Sequence, residues 1–359
     1  MSNGKPGTAA LPSSSADDVG PAFETLEAAL DVTYAWGYQD TRAQLRDLYL
    51  KARRAQWNPD DVLDFSRDVD LEKPMMPDMM HPLWGSHHYQ KMTEREHLAL
   101  QVEMSSWTLS QFLHGEQGAL LAAAQLVSSV PDLDSKLYGG TQVVDEARHV
   151  DVYNKYLHEK VGFSYPVNVH LKKLLDLILT DSRWDMKFLG MQIMVEGLAL
   201  SAFALIRHNS YEPLLVDLTR YVMHDEARHV AYGVLSLSDF YSDQSEAFIR
   251  EREDFIYEAA VLMRDRFLLA EVWEKMGMPV EECKEIALNN AGHKMMRQLL
   301  FSKVVPCIKR IGLLSPRLRE RFQTLDILQY EDAEDPFVAL ERSEAEQALA
   351  ASADGNGAT

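Results

Sequence analysis

Apolar residues recur at three- and four-residue intervals along most of the chain, a spacing that is typical of amphipathic helices. Pro131, Pro166, Pro213 and Pro279 lie at or near the ends of these periodic segments, where proline is expected. Alternating β-branched runs, which would indicate strands, are scarce, so we predict an all-α fold. The predicted helices lie near 23–54, 93–128, 133–160, 167–181, 184–208, 212–240 and 244–276, with two or three shorter ones between 279 and 329.

The two ends of the chain differ in composition from its middle. Residues 1–20 and 342–359 are rich in Gly, Ser, Ala and acidic residues and poor in large apolar side chains. Such segments cannot bury enough apolar surface to fold, so we predict that both are flexible tails. No composition shift marks a second domain between them, and we predict a single helical domain over residues 21–341.

Within the predicted helix near 184–208, the stretch Phe188–Ile206 is apolar on nearly every side and carries a single carboxylate, Glu196, near its centre. It is long enough to cross a bilayer. No second span accompanies it, however, and a charge at the centre of a membrane is costly. We therefore expect no membrane span and place this helix in the middle of a bundle, where its buried carboxylate needs a partner.

A short charged segment, "DEARHV", occurs twice, at 145–150 and at 225–230. Thirty residues before the glutamate of each copy lies another glutamate, Glu116 or Glu196, in a mainly apolar helix. Each of these earlier helices is followed by a turn signal and then by the helix that carries the repeated segment. The chain therefore contains two copies of one helix–turn–helix unit, in register and without a gap.

The repeated unit predicts a metal site. In each copy the glutamate and the histidine are three residues apart and lie on one helix face. If each helix pair folds back on itself, the earlier glutamate returns to the same height, and four such helices supply the ligand set of di-metal carboxylate proteins. Four buried carboxylates would repel one another unless two divalent cations neutralised them. The predicted metal ligands are Glu116, Glu146, His149, Glu196, Glu226 and His229.

The other charged residues of the repeated segment fit a supporting role. Asp145 and Asp225 are predicted to accept the free N–H of a metal-bound histidine, and Arg148 and Arg228 to hold those aspartates. A single Glu-x-x-His with flanking Asp and Arg would fit a solvated helix face equally well. Two identical copies favour the metal site, and carboxylate and imidazole donors without thiolate favour iron or manganese over structural zinc.

These motifs resemble the six ligands of the ferritin-like di-iron carboxylate oxidases and oxygenases. That superfamily includes bacterial multicomponent monooxygenases, acyl-carrier-protein desaturases, arylamine N-oxygenases and ribonucleotide reductase small subunits. The resemblance covers about residues 95–240 and implies a ferritin-like four-helix bundle core with additional N- and C-terminal helices. It indicates no subfamily, because Leu200 stands where the hydroxylases carry threonine and Val222 where the arylamine N-oxygenases carry a third histidine.

The resemblance implies an O₂-activating di-iron oxidoreductase, most simply a monooxygenase, that acts on a small organic substrate in an apolar cavity beside the metal pair. Its cofactor would be two iron ions, or manganese with iron, and O₂ its co-substrate. The sequence has no flavin or nicotinamide fingerprint, so an external reductase or ferredoxin is expected to donate electrons. The alternatives are a ferritin- or rubrerythrin-like protein that oxidises iron or handles peroxide, a radical-generating di-metal subunit and a non-catalytic partner subunit.

Positions close to the ligands suggest further functional residues. Tyr153, four residues after His149, stands where radical-forming reductase subunits keep their tyrosine, so it is a redox candidate. Ordinary packing is the alternative for Tyr153, as it is for the apolar residues near Glu116 and Glu196. Those predicted to line a substrate cavity are Phe112, Leu113, Leu120, Ile193 and Leu200.

Composition and charge limit the partners. The formal net charge of −19 argues against a basic face for nucleic acid or anionic membranes. Cys283 and Cys307 form no CxxC pair and the N-terminus has no apolar signal, so we expect a cytoplasmic protein and, for a bundle of this kind, a homodimer. A second metal site and an exposed loop over the bundle are the two interpretations of His81, His87, His88 and His97.

Overall fold

The computed structural model of the chain describes residues 24–39 and 42–343. No β-strand occurs within these ranges, which confirms the prediction of an all-α fold. The helices, numbered in chain order, are α1 (Ala43–Arg54), α2 (Pro59–Val62), α3 (His87–Lys91), α4 (Glu94–Ser129), α5 (Leu133–Tyr156), α6 (Val169–Thr180), α7 (Trp184–Phe188), α8 (Glu196–Asn209), α9 (Pro213–Leu237), α10 (Glu246–Asp265), α11 (Ala270–Lys275), α12 (Val280–Asn289), α13 (Ala291–Leu299), α14 (Val304–Arg310) and α15 (Pro316–Thr324).

Side-chain caps fix where the long helices begin. Thr93 and Glu96 form a capping box at the start of α4, and the Asp132 side chain accepts a hydrogen bond from the backbone of Ser135 at the start of α5. At the start of α9 the Glu212 carboxylate accepts two backbone N–H groups, and the next residue is proline. Each cap satisfies donors that a helix start leaves free, so these boundaries follow from local sequence.

The core is a bundle of four long helical elements. Helix α4 packs against α5, α8 packs against α9, and α5 packs against α9, which joins the two halves of the repeat. The element that runs from α7 through α8, Trp184–Asn209, is long and apolar enough to cross a membrane, with a mean hydropathy of 1.8, but 78% of its most apolar window is buried. It occupies the interior of the bundle, and α1 covers α5 and α9 from outside.

Two π-helical segments interrupt this regular pattern, at Leu157–Val161 and Leu189–Val195. The second lies directly before Glu196 and connects α7 with α8. Helix α9 approaches it closely at Gly233, where an added Cβ would lie 2.6 Å from Cβ of Gln192. Single π-helical turns occur often at functional sites, and this one sets the position of a predicted ligand.

The predicted helix over 23–54 is wrong in its first part. Residues 24–39 are irregular, and the helix begins at Ala43. Within the irregular stretch Tyr34 and Trp36 are 71% and 72% exposed, so no apolar stripe is buried there. A helix without a packed face is marginal in water, which explains the later start.

The predicted helix over 244–276 is interrupted. Helix α10 ends at Asp265, a 3₁₀ turn covers Arg266–Leu268, and Leu269 takes a left-handed conformation with φ of 56° before α11 begins. The indole N–H of Trp273 donates to the carbonyl oxygen of Leu268 at 2.7 Å and fastens this turn. Of the predicted tails, residues 342 and 343 are helical, and the remainder lies outside the described residues.

Candidate metal centre

The four core elements bring all six predicted ligands together in the interior of the bundle, where every one of them is buried. Their side chains form two overlapping groups of four, and within each group the ligand atoms lie within 4.8 Å of one another. One group comprises Glu116, Glu146, His149 and Glu226. The other comprises Glu146, Glu196, Glu226 and His229.

The two carboxylates of the repeated segments, Glu146 and Glu226, belong to both groups. Nδ1 of His149 lies 3.2 Å from Oε1 of Glu226 and 3.3 Å from Oε2 of Glu116. Nδ1 of His229 lies 3.1 Å from Oε1 of Glu146. The arrangement is that of two adjacent cation positions, with two carboxylates between them and one histidine on each.

Although the ligand atoms lie close together, several of them form no hydrogen bond of normal geometry with any described residue. They are Oε2 of Glu146, Oε2 of Glu196, both carboxylate oxygens of Glu226 and Nδ1 of His229. A buried polar atom without a partner is costly, and a cluster of lone pairs that converge on one space is the environment a cation requires. The residues therefore fit a pair of divalent cations, whose four positive charges would offset four carboxylates.

Without cations, protons have to compensate the charges. Burial, and after it the neighbouring carboxylates, raise the pKa of Glu116 and of Glu196 well above the ordinary range. Burial would also raise the pKa of Glu146, but the two histidines outweigh it, and the pKa is lowered. For His149 and His229 burial alone would lower the pKa, but the surrounding acidic side chains raise it. Metal binding must displace these protons.

The aspartates of the repeated segments contact the histidines crosswise. Oδ2 of Asp225 lies 3.1 Å from Nε2 of His149, and Oδ2 of Asp145 lies 3.3 Å from Nε2 of His229. Each histidine thus presents Nδ1 to the carboxylate cluster while an aspartate from the other half of the repeat contacts its opposite nitrogen. This contact fixes the tautomer and the orientation of a metal-ligating imidazole.

The arginines of the repeated segments hold these aspartates. Arg148 donates to Asp145 and also reaches Asp225 at 3.0 Å, whereas Arg228 donates to Asp225. Burial would raise the pKa of Asp225, but the hydrogen bonds from His149 and Trp57, together with the charges of His149 and Arg228, keep the pKa below the ordinary range. Asp225 therefore remains an acceptor for the imidazole N–H group of His149.

Two further supports come from outside the repeat and have no signal in the sequence. The indole N–H of Trp57 donates to Oδ2 of Asp225 at 2.7 Å. The amide of Gln56 donates to Oδ1 of Asp145 at 2.8 Å and accepts from Arg148 at 3.0 Å. Both residues lie just after α1, so this helix closes the side of the centre on which the aspartates lie.

Gln142 is a third support. Its side-chain amide donates to Oε1 of Glu146 and to Oε1 of Glu196, both at 2.9 Å, and Gln192 donates to its oxygen at 3.3 Å. Gln142 precedes Glu146 by four residues and thus shares its helix face, a spacing that could have identified it from sequence. Its amide thus links Glu146 in the first half of the repeat with Glu196 in the second half.

A narrow cavity adjoins the centre, with free space of about 20 Å³, enough for about one water molecule. Of the five residues predicted to line a cavity, Phe112 does so, whereas Leu113, Leu120, Ile193 and Leu200 are not among its lining residues. On α4 and α8 the cavity is lined by the residues one position before and three positions after each glutamate. Helical periodicity alone does not show which side of a glutamate faces a cavity. The lining residues are Gln111, Phe112, Gly115, Glu116, Ala119, Val195, Glu196, Ala199, Glu226 and Arg266.

Tyr153 is fully buried next to the centre. Its hydroxyl has no hydrogen-bond partner among the described residues, and its ring lies 5.9 Å from that of Phe112. Burial, and after it the charge of Glu116, raise the pKa of Tyr153 well above its ordinary value. The phenol is therefore neutral and close to the ligands, and its redox role stays a prediction.

The four histidines near α3 do not converge. His81 is buried and accepts a hydrogen bond from the backbone of Leu83, and His97 contacts the carbonyl oxygen of Tyr89 at 2.8 Å. The other two, His87 and His88, lie 3.5 and 3.3 Å from Oε1 of Glu282 at the surface. Their arrangement could hold a cation, but a surface group of this kind is also an ordinary ion pair.

No protein-family model and no curated protein matches this sequence. Among solved structures, the chain is similar to R2-like ligand-binding oxidase. A valine-to-isoleucine mutant with an aerobically reconstituted Mn/Fe cofactor is 20% identical over 75% of this chain and 94% of the other, with a TM-score of 0.50. A tyrosine-to-phenylalanine mutant is 20% identical over 75% and 93%, with a TM-score of 0.46. The first of these likenesses shows that the two chains share a ferritin-like helical-bundle fold.

Proposed function

We propose that the chain is an O₂-activating non-haem di-metal oxidoreductase that acts on a small organic substrate. The observation that carries the proposal is the pair of overlapping ligand groups, each with one imidazole and three carboxylates buried in the interior of the bundle. Donors of this type without thiolate favour iron or manganese. The Mn/Fe cofactor of the similar oxidase supports a pair of two irons, or of manganese with iron.

The protein residues have distinct roles in this proposal. Glu146 and Glu226, which belong to both ligand groups, would help to hold both metal ions. Glu116 and His149 would hold one of the ions as well, and Glu196 and His229 the other. Four carboxylates offset two divalent cations, which leaves the histidines neutral. When bound and reduced, the metal pair supplies electrons and open coordination positions to O₂. The apolar cavity wall keeps bulk water away from this point.

The finer assignment that we propose is a monooxygenase that receives electrons from an external reductase or ferredoxin. The sequence supports it, because no flavin or nicotinamide fingerprint accompanies the metal ligands. The apolar cavity beside Glu116 and Glu196 supports a substrate site next to the metals. A homodimer and a cytoplasmic location remain expectations.

Anaerobic loading with Fe(II), alone and with Mn(II), followed by exposure to O₂ tests the proposal. Loaded protein should bind two metal ions per chain and consume O₂, with oxidation of the metals visible by Mössbauer spectroscopy. The variant Glu146→Ala should do neither, whereas Asp151→Asn, an exposed change on the same helix, should behave like wild type. A chain that binds two ions and never consumes O₂ would end the proposal.

A radical-generating subunit is the second candidate, and the buried Tyr153 favours it. The variant Tyr153→Phe would then abolish a tyrosyl signal in electron paramagnetic resonance after exposure to O₂. Tyr138 offers a matched control, because it is equally buried and its hydroxyl also has no partner among the described residues. Absence of any tyrosyl signal in metal-loaded wild type would leave the oxygenase as the better assignment.

A further inference from the structure

One lining residue of the cavity is not explained by the metal centre. Arg266 is only 5% exposed and lies on the cavity wall with Glu116, Glu196 and Glu226. Among the residues that the structure describes, Nε of its guanidinium is buried without a hydrogen-bond partner, and the side chain forms no ion pair with an acidic residue. Its guanidinium carbon lies 4.7 Å from the centroid of the Phe267 ring.

The two carboxylates closest to Arg266 in sequence have other partners. Asp265 accepts from Arg264 at 2.7 Å, and Glu271 accepts from Trp107 and from Asn168. Within the cavity, the side-chain oxygen of Gln111 accepts from the backbone of Asn168. Burial lowers the pKa of Arg266 to about 10, so the side chain still carries its charge at neutral pH.

A buried arginine with no partner is rare, because desolvation of a charge is costly unless an opposite charge accompanies it. The backbone that carries it is also unusual. Arg266 occupies the turn between α10 and α11, which contains the left-handed Leu269 and is fastened by the Trp273 indole. Strained and anchored backbone of this kind is found at ligand sites.

The charges around the cavity indicate the charge of the ligand that would fit it. Two divalent cations would offset the four glutamates, and Arg148 and Arg228 offset the two aspartates behind the histidines. Arg266 is then left as one uncompensated positive charge in the cavity. A monoanion would neutralise it, whereas a phosphate monoester would bring about one further negative charge.

We propose that Arg266 binds the carboxylate of a monoanionic organic substrate and directs the rest of that molecule along the apolar wall towards the metal pair. The inference rests on the proposed function, since it assigns a substrate class to the same site. A guanidinium donates two parallel N–H groups to a carboxylate, which fixes the orientation of the ligand as well as its charge. Small organic carboxylic acids are thus the substrate class.

The wall leading away from Arg266 suits such a molecule. It consists of Phe112, Ala119, Val195 and Ala199, with Gly115 half-buried at one side. A Cβ added to Gly115 would meet no atom within 4 Å, so space continues past this residue. Because the free space is about 20 Å³, a ligand larger than about one water molecule enters only if side chains such as Phe112 move.

Calorimetric titration of the metal-loaded protein under argon tests the inference. The probes are benzoate, phenylacetate and the straight-chain acids from butanoate to octanoate, each compared with its neutral primary amide. At least one acid should bind about tenfold or more tightly than its amide. In Arg266→Gln this preference should disappear, in Arg266→Lys it should be partly kept, and Arg264→Gln, which removes a charge from the same turn, should match wild type.

A second readout needs neither metal nor ligand. Since Arg266 is a buried charge without a partner, Arg266→Met should raise the melting temperature of the metal-free protein by about 2–4 °C. A lower melting temperature would mean that the arginine is structural and would overturn the inference. Equal binding of acids and amides, absence of binding by every acid, or unchanged binding in Arg266→Gln would overturn it as well.

The two proposals fail in different ways. Protein that prefers carboxylates through Arg266 but never consumes O₂ would end the oxidoreductase proposal and leave the anion site in place. Protein that consumes O₂ with two bound metals but does not distinguish an acid from its amide would end only the assignment of Arg266.

Discussion

The carboxylate of Asp225 lies 3.1 Å from Nε2 of His149, although the two residues come from different copies of the repeated segment. Asp145 contacts His229 in the same way at 3.3 Å. Each half of the repeat therefore orients the ligand of the other half. Neither helix pair can form a complete site alone, which couples assembly of the bundle to assembly of the centre.

This crossing predicts which metal each aspartate supports. Asp225→Asn should weaken the metal held by His149 by about 10–100-fold, because an amide is a poorer partner for the imidazole N–H. Competition with a chelator, followed by metal analysis, measures the loss. Asp145→Asn should weaken the other metal, and the exposed Asp151→Asn should weaken neither. Equal weakening of both metals by Asp225→Asn would contradict the crossed arrangement.

The shared carboxylates predict a difference in stoichiometry. Glu146→Ala removes a ligand that lies between the two positions, so occupancy of both metals should fall. Glu116→Ala removes a ligand from one position and should leave the other largely filled. The number of metal ions per chain after gel filtration distinguishes the two variants, and identical losses would show that Glu146 is not shared.

Metal loading should depend on pH in a defined direction. Acidic neighbours raise the pKa of His149 and of His229 above the ordinary 6.5, so in metal-free protein both histidines hold protons at and above that pH. A cation requires both imidazoles unprotonated, and binding must therefore release protons. Affinity should rise with pH from 6.5 upward, and a pH indicator in weak buffer should detect the released protons. Affinity that is constant or falls over this range would refute the prediction.

Helix α9 lies close to the π-helical segment at Gly233, whereas Gly140 faces open space. Alanine substitutions at these two glycines should therefore change the free energy of unfolding in opposite directions. Gly233→Ala would place a methyl group 2.6 Å from Cβ of Gln192 and 3.3 Å from Cδ1 of Ile193, and should destabilise the protein by about 1–3 kcal/mol. Gly140→Ala, where a Cβ meets nothing within 4 Å, should stabilise helix α5 by about 0.5–1 kcal/mol. Urea unfolding of metal-free protein measures both. Similar midpoints for the two variants would mean that the bundle tolerates movement at Gly233.

The sequence predicted which carboxylates and histidines converge in the bundle because the repeat encodes them twice. Identical spacing in two copies constrains which helices pair, and a carboxylate such as Glu196 in an apolar helix requires compensation wherever that helix packs. Helix starts could also be predicted from the sequence, because capping depends on residues that are close together in the chain, such as Thr93 and Glu96.

Features that depend on contacts between distant segments could not be predicted in this way. Trp57 reaches Asp225 from 168 positions away, and no local pattern announces it. In the sequence, the helical pattern of α10 continues through Arg266. The helix nevertheless ends before Leu269, in a turn that the indole of Trp273 holds in place. The neighbouring helices determine which side of Glu116 faces the cavity. The sequence therefore predicted Phe112 as a lining residue but not Arg266.

Anomalous X-ray diffraction from crystals of metal-loaded protein, collected on both sides of the iron and manganese edges, would locate the ions themselves. We predict two peaks inside the bundle, one against Nδ1 of His149 and one against Nδ1 of His229, with Glu146 and Glu226 between them. A single peak, or ions bound only at surface residues such as His87 and His88, would contradict the assignment of a di-metal centre.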